Sequence, residues 1–229
     1  MKTIGLIGGM SWESTQVYYR LLNENVKQRL GGHHSAKVVL VSVDFAEIAE
    51  LQHAGDWPAT AAILCDAAQA LERAGADFIL IGTNTMHKIA DEVAAAVSVP
   101  LLHIIDVTAA ALKARNIKRV GLLGTQFTME QEFYRTRLQT QGIEVAIPEP
   151  KERELVHRVI YHELCQGQFL DVSKQAYLEI IAGLAGRGAE GVILGCTEIG
   201  MLLQDGDAAI PLFDTAALHA EAAVVKALG

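Results

Sequence analysis

Short runs rich in β-branched residues and leucine alternate along the chain with alanine-rich segments whose apolar positions recur at helical spacing. Strands of period two interleaved with helices of period 3.6 predict a parallel sheet with crossover helices. The pattern places strands over 3–7, 37–43, 77–81, 99–103, 119–123, 143–146, 190–194 and 209–212. It places helices over 12–30, 58–74, 86–96, 106–115, 129–141, 152–166, 173–186, 198–203 and 215–228. No linker rich in proline or serine divides the chain.

An internal repeat does divide it. Lys2-Thr3-Ile4-Gly5-Leu6-Ile7-Gly8 matches Lys118-Arg119-Val120-Gly121-Leu122-Leu123-Gly124 at an offset of 116, and the same offset pairs Tyr18 with Tyr134. Gly75-Ala76-Asp77-Phe78-Ile79-Leu80-Ile81-Gly82-Thr83 matches Gly188-Ala189-Glu190-Gly191-Val192-Ile193-Leu194-Gly195-Cys196 at an offset of 113. Val99-Pro100-Leu101 leading to Asp106 echoes Ile210-Pro211-Leu212 leading to Asp214. Three matches in one order at nearly constant spacing signal a duplicated unit rather than the generic likeness of βα repeats. The expected organisation is therefore two α/β halves. Ligands of parallel sheets bind beyond the carboxyl ends of the strands. Thr83 and Cys196, each one residue past a strand-ending glycine, would then face a shared cleft from opposite sides.

Composition narrows the chemistry. A hydrophobic content of 51% and a mean hydropathy of +0.24 fit a well-buried protein, yet no apolar run approaches the roughly 18 residues that span a membrane. The start, Met1-Lys2-Thr3-Ile4-Gly5-Leu6-Ile7-Gly8-Gly9, is too short and glycine-interrupted for a signal peptide and reads as a first strand, so a cytoplasmic protein is expected. A net charge of −8 leaves no basic stripe for nucleic acid. Global acidity does not exclude an anionic substrate, because helix N-termini bind carboxylates locally. Cys65, Cys165 and Cys196 are odd in number, lack C-x-x-C spacing, and point to neither disulfides nor a zinc site.

Three strand-to-helix turns carry the candidate chemistry. In Gly195-Cys196-Thr197-Glu198, unpaired backbone N–H groups and a helix dipole are expected to favour a thiolate at Cys196. A lone cysteine is more often a small core hydrophobe; that is the default for Cys65, and packing is favoured for Cys165. Thr83-Asn84-Thr85 offers two hydroxyls, an amide and backbone donors suited to a carboxylate, although such residues also serve as ordinary N-caps. Gly8-Gly9-Met10-Ser11-Trp12 permits close backbone approach, with Ser11 able to cap the next helix, but lacks the G-x-G-x-x-G and G-x-x-x-x-G-K-[ST] spacings of phosphate loops. His87 and His162 are expected near the cleft edge, where structural hydrogen bonding is their commoner role. His33 and His34 lie in a glycine-rich turn and should face solvent.

Together the turns at Gly8-Gly9-Met10-Ser11-Trp12, Thr83-Asn84-Thr85-Met86-His87 and Gly195-Cys196-Thr197-Glu198, with the strand end Ser42-Val43-Asp44-Phe45, closely resemble the aspartate/glutamate racemase family over the whole chain. The resemblance implies two pseudosymmetric flavodoxin-like subdomains with parallel sheets and the active site in the cleft between them. These are residues 1–100, with the C-terminal helix 214–229 packing back, and residues 101–213. It implies amino-acid racemisation with no cofactor or metal, a homodimer, and a small substrate, L-aspartate or L-glutamate. It also implies substrate-binding roles for Met10, Gln52, Thr83, Asn84, Thr85, Thr197 and Glu198. Family members use two cysteines, one on each face of Cα; here Cys196 fits the second position while Thr83 stands at the first. A thiol titrates near ~8.5 and a hydroxyl nearer the ~15.7 of water, so Cys196 can act as base at neutral pH and Thr83 only as donor. The second cysteine works on the L enantiomer in the family, which predicts fast α-proton exchange on the L form and slow, balanced inversion. Two other readings remain: a single-cysteine relative acting as hydantoin racemase, malonate decarboxylase or maleate isomerase, and a non-catalytic dicarboxylate-binding protein.

Overall fold

The computed structural model describes all 229 residues, and the chain forms two compact units: Met1–Ile104 with His219–Gly229, and Ile105–Leu218. Each is built on its own parallel sheet.

In the first unit β1 (Ile4–Gly8) lies between β2 (Val38–Ser42) and β3 (Phe78–Ile81), with Ile7 opposite both Val41 and Ile81. All five β1 residues are buried, as a central parallel strand covered on both faces must be. Helix α1 (Trp12–Leu30) buries Ser14, Thr15, Tyr18, Leu22 and Val26 at helical spacing and starts at Ser11, whose hydroxyl accepts from Ser14 N. Helix α3 (Trp57–Arg73) packs a small-residue face of Ala61, Leu64, Ala67, Ala68 and Leu71 into the core.

A helix unforeseen from periodicity, α2 (Phe45–Ala54), precedes α3. Asp44 caps it by accepting from Ala46 N, and Gly55 ends it in the left-handed region at φ 73°. Predicted helix 86–96 begins instead as a 3₁₀ turn, Thr85–Ile89, before α4 (Ala90–Ala95). Predicted strand 99–103 shrinks to one bridge, Leu101 to Ile79. Pro100 supplies only a carbonyl there, to Ile79 N, and the chain already enters α5 (Ile104–Ala114) three residues after Leu101, too soon for a ladder.

The second unit repeats the frame with the fourth strand present. Its order is β5 (Glu144–Ala146), β4 (Arg119–Gly124), β6 (Val192–Gly195), β7 (Leu212–Asp214). Equivalent backbone bonds recur. Ile79 N donates to Pro100 O at 3.0 Å and Val192 N to Pro211 O at 2.9 Å; Asp77 N donates to Thr3 O and Glu190 N to Arg119 O, both at 2.9 Å. The paired tyrosines Tyr18 and Tyr134 are both fully buried. Predicted helix 129–141 divides at extended Gln131 into α6 (Gln126–Glu130) and α7 (Glu132–Gln139). Predicted helix 152–166 divides at Glu163 into α8 (Pro150–His162) and a 3₁₀ turn, Leu164–Gln166. Helix α9 (Asp171–Gly186) follows, and predicted helix 198–203 is a single turn, α10 (Ile199–Leu202). The last helix, α11 (Thr215–Leu228), ends in the first unit, where Ala227 O accepts from Lys2 N at 2.8 Å.

Candidate active site

The first half-site stands beyond β3. Gly82 N donates to Ile7 O at 2.8 Å, which sets the chain leaving the sheet, and Thr83 follows, half-buried. His87, four residues on, anchors the turn: its Nδ1 lies 2.8 Å from Thr83 O, and its Nε2 accepts from Ile104 N at 3.2 Å. That pair of partners fixes the neutral tautomer with the proton on Nδ1. His87 is thus buried and occupied with backbone, the structural role expected of it, and its ring stands 4.5 Å from that of His103. Asn84 and Thr85 are buried beside it, and Asn84 does not use its side chain to cap the 3₁₀ turn.

Two sequence-predicted residues from distant segments join this turn. Gln52 of α2 is buried and donates from Nε2 to the Met86 sulfur at 2.9 Å, and Met10 shares the buried cluster of Ile48 and Met86. The Met10 segment reaches that place because Gly9, at φ 91°, runs against the backbone of Val43: a Cβ there would lie 2.1 Å from Val43 O. Gly9 N is held by Thr15 Oγ1 at 2.7 Å.

The second half-site stands beyond β6. Gly195 lets the strand end press on β4, since a Cβ would fall 2.7 Å from Leu123 O. Cys196, Thr197 and Glu198 are all buried. The Glu198 carboxylate collects three donors: Cys196 Sγ at 2.9 Å and Thr197 Oγ1 at 2.7 Å on Oε2, and Cys165 Sγ at 3.6 Å on Oε1. Tyr161 of α8 and Tyr177 of α9 flank the group. Burial, followed by the charges around the Cys196 sulfur, holds both phenols above their ordinary range.

This geometry corrects the expectation of a thiolate favoured by a helix dipole. Burial first, then the Glu198 and Cys165 groups, push the Cys196 thiol well above its ordinary value. The helix whose dipole was invoked has only four residues, and the nearest strong charge is a carboxylate. Cys165 is the residue that sequence reasoning undervalued: its thiol is a partner of Glu198. Cys65, half-buried on α3, points its sulfur at Glu92 O at 3.6 Å. His162, His33 and His34 are exposed. No group of three or more His, Cys, Asp or Glu side chains is arranged to hold a metal ion, and no helix is long and apolar enough to cross a membrane.

A duplicated α/β protein, each half ending a buried strand in a polar turn with a proton-bearing side chain, defines the class. The chain belongs to the Asp/Glu/Hydantoin racemase family, whose pattern matches residues 7–223. A solved protein from Yersinia pestis, provisionally described as an Asp/Glu racemase, is 53% identical with a TM-score of 0.92, and the alignment covers 100% of both chains. An aspartate racemase homologue from Pyrococcus horikoshii OT3 is 36% identical, again over 100% of both chains, with a TM-score of 0.87. The broad specificity amino-acid racemase RacX of Bacillus subtilis is 29% identical across 70% of this chain and 69% of its own length.

Proposed function

We propose that this chain racemises acidic amino acids, aspartate or glutamate, by direct proton transfer at Cα, with Cys196 as the base on the L enantiomer and Thr83 as the proton donor. The observation that carries the reading is the pairing of Thr83 and Cys196 at equivalent exits from the repeated sheets, inside a racemase family. Met10, Gln52, Asn84, Thr85, Thr197 and Glu198 are proposed to bind the substrate. Asn84 and Thr85 suit a carboxylate, and the Glu198 carboxylate suits an ammonium group.

The chemistry is one-sided. A thiolate at Cys196 removes the α-proton, and the carbanion is reprotonated from the same thiol or from the hydroxyl of Thr83 on the other face. Return from the same thiol, once it has traded its proton with solvent, exchanges the α-proton without inversion; return from Thr83 inverts the centre and leaves an alkoxide far more basic than a thiolate. Exchange on L substrate is therefore fast and inversion slow. At equilibrium the two enantiomers interconvert with equal kcat/KM, as their equal energies require.

Because the Cys196 thiol is held above its ordinary value, the base-competent fraction rises about tenfold per pH unit until the thiol titrates. The test is deuterium incorporation at Cα of L-aspartate and L-glutamate in D₂O. Wild-type exchange that rises with pH and disappears in Cys196→Ser supports the reading. Binding of either amino acid with no exchange would leave a dicarboxylate-binding protein, the second reading, which the protonated Cys196 favours. Exchange on a hydantoin in place of the amino acids would move the substrate within the family.

A further inference from the structure

The carboxylate of Glu198 faces the sulfur that the proposed reaction needs in its ionised form. A negative charge 2.9 Å from a thiol opposes its ionisation, so an unoccupied site with this geometry stores the proton rather than the base. Two further donors, Thr197 Oγ1 and Cys165 Sγ, stabilise the carboxylate as acceptor and leave the Cys196 proton where it is. An arriving amino acid brings, near neutral pH, an ammonium cation on the carbon that is to lose its proton.

We propose that Glu198, held by Cys165 and Thr197, keeps Cys196 as a thiol while the site is empty, and that the substrate ammonium pairs with this carboxylate and so releases the thiolate. The proposal rests on the racemase reading for its substrate and goes beyond it in making the base substrate-gated. The balance is simple: the thiol proton leaves to water when the amino acid binds, one proton per site. The thiolate formed then takes the α-proton. Cys165 is a positioning residue in this scheme, acting through Glu198. The titratable groups bearing on the Cys196 sulfur are Glu198 on its own turn, Cys165 on the 3₁₀ turn, Tyr161 from α8 and Tyr177 from α9. Both tyrosines remain neutral, so Glu198 is the charge that the ammonium must offset.

The experiment measures proton release into weak buffer with a pH indicator, together with ultraviolet thiolate absorbance, on adding L-aspartate or succinate to the whole protein near neutral pH. L-aspartate should release close to one proton and raise the thiolate signal, the effect vanishing in Cys196→Ala; succinate, which lacks the ammonium, should do neither. Glu198→Gln should raise the thiolate fraction of Cys196 in the empty protein although burial still opposes the charge, seen as iodoacetamide labelling about tenfold faster at neutral pH, one pKa unit being a factor of ten. It should also lose the L-aspartate response. Cys165→Ala should speed labelling less, and Cys165→Ser, which keeps a donor, should restore the wild-type rate. Equal responses to L-aspartate and succinate, or an unchanged labelling rate in Glu198→Gln, would overturn the proposal. The ligand comparison uses wild-type protein and decides the matter even if Glu198→Gln fails to fold. Proton release without α-proton exchange would sink the racemase reading and leave the gate standing; exchange without proton release would do the reverse.

Discussion

The turn after β3 and the turn after β6 descend from the same repeat but are held by different means. In the first, the backbone is the thing gripped: His87 ties Thr83 O to Ile104 N, and Thr83 stays half-buried. In the second, a side chain is the hub, with Cys196, Thr197 and Cys165 converging on Glu198. Duplication supplied one frame twice. What sits at the end of each strand decides which turn can carry a base.

Removing the sulfur should have the largest effect. Cys196→Ala is expected to lower α-proton exchange on L-aspartate or L-glutamate by roughly 10³-fold, within the range for loss of a general base. Thr83→Ala, read by the same deuterium incorporation, should spare exchange and lower only inversion. Equal losses in the two variants would erase the proposed asymmetry.

Making the turns alike is the next step. Thr83→Cys should raise inversion by about 10²-fold, since it replaces a hydroxyl of pKa ~15.7 with a thiol of pKa ~8.5. It should also open the D enantiomer to exchange. Chiral chromatography of both enantiomers checks this; an unchanged inversion rate would dissolve the pairing drawn from the repeat.

That pairing was legible because Gly82-Thr83 and Gly195-Cys196 sit at matched positions in near-identical strands, and strand cores tolerate few residue types. One other feature, α2, carried a readable signal that periodicity overrode. Asp44 and Gly55 bracket α2 as cap and stop, yet ten residues between a strand and a longer helix passed for a loop. The contact of Cys165 with Glu198 had no local signal: it depends on α8 ending at His162 so that a 3₁₀ turn carries the thiol toward a residue 33 positions away. The protonation state of Cys196 was likewise misread, because a dipole can be inferred from a turn whereas burial and a facing carboxylate belong to the packed structure.

Acid should separate the two units. His219 is fully buried in the first, with Tyr18 Oη on Nδ1 at 2.9 Å and Leu102 O on Nε2 at 2.9 Å, and burial lowers its pKa from 6.5 to about 4. The unfolded chain takes up a proton near 6.5 while the folded chain refuses it, so this stability is complete above that pH. It is lost as pH falls toward 4, by up to about 3 kcal/mol. Hydrogen exchange at mildly acidic pH should show α11 and β1 opening before β4 and β6, and His219→Phe should flatten the pH dependence of the first unit.

The smallest effect compares the glycines that end the two strands. A Cβ on Gly195 would lie 2.7 Å from Leu123 O and 2.9 Å from Leu122 Cδ1, whereas one on Gly82 would lie 3.0 Å from Ile7 O and 3.3 Å from Leu6 Cδ1. Backbone oxygen cannot swing aside as a side-chain terminus can, so Gly195→Ala must push β6 away from β4 while Gly82→Ala asks for a shift of a few tenths of an ångström. Overpacking of this kind costs about 1–3 kcal/mol, and we expect Gly195→Ala near the upper end and Gly82→Ala near the lower. Urea unfolding measures both. The displacement in Gly195→Ala falls on the residue before Cys196, so its exchange rate should drop as well, whereas Gly82→Ala should leave exchange nearly intact and touch inversion alone. If Gly82→Ala proved the more damaging for exchange, the base would belong to the first turn and the division of labour between the turns would be reversed.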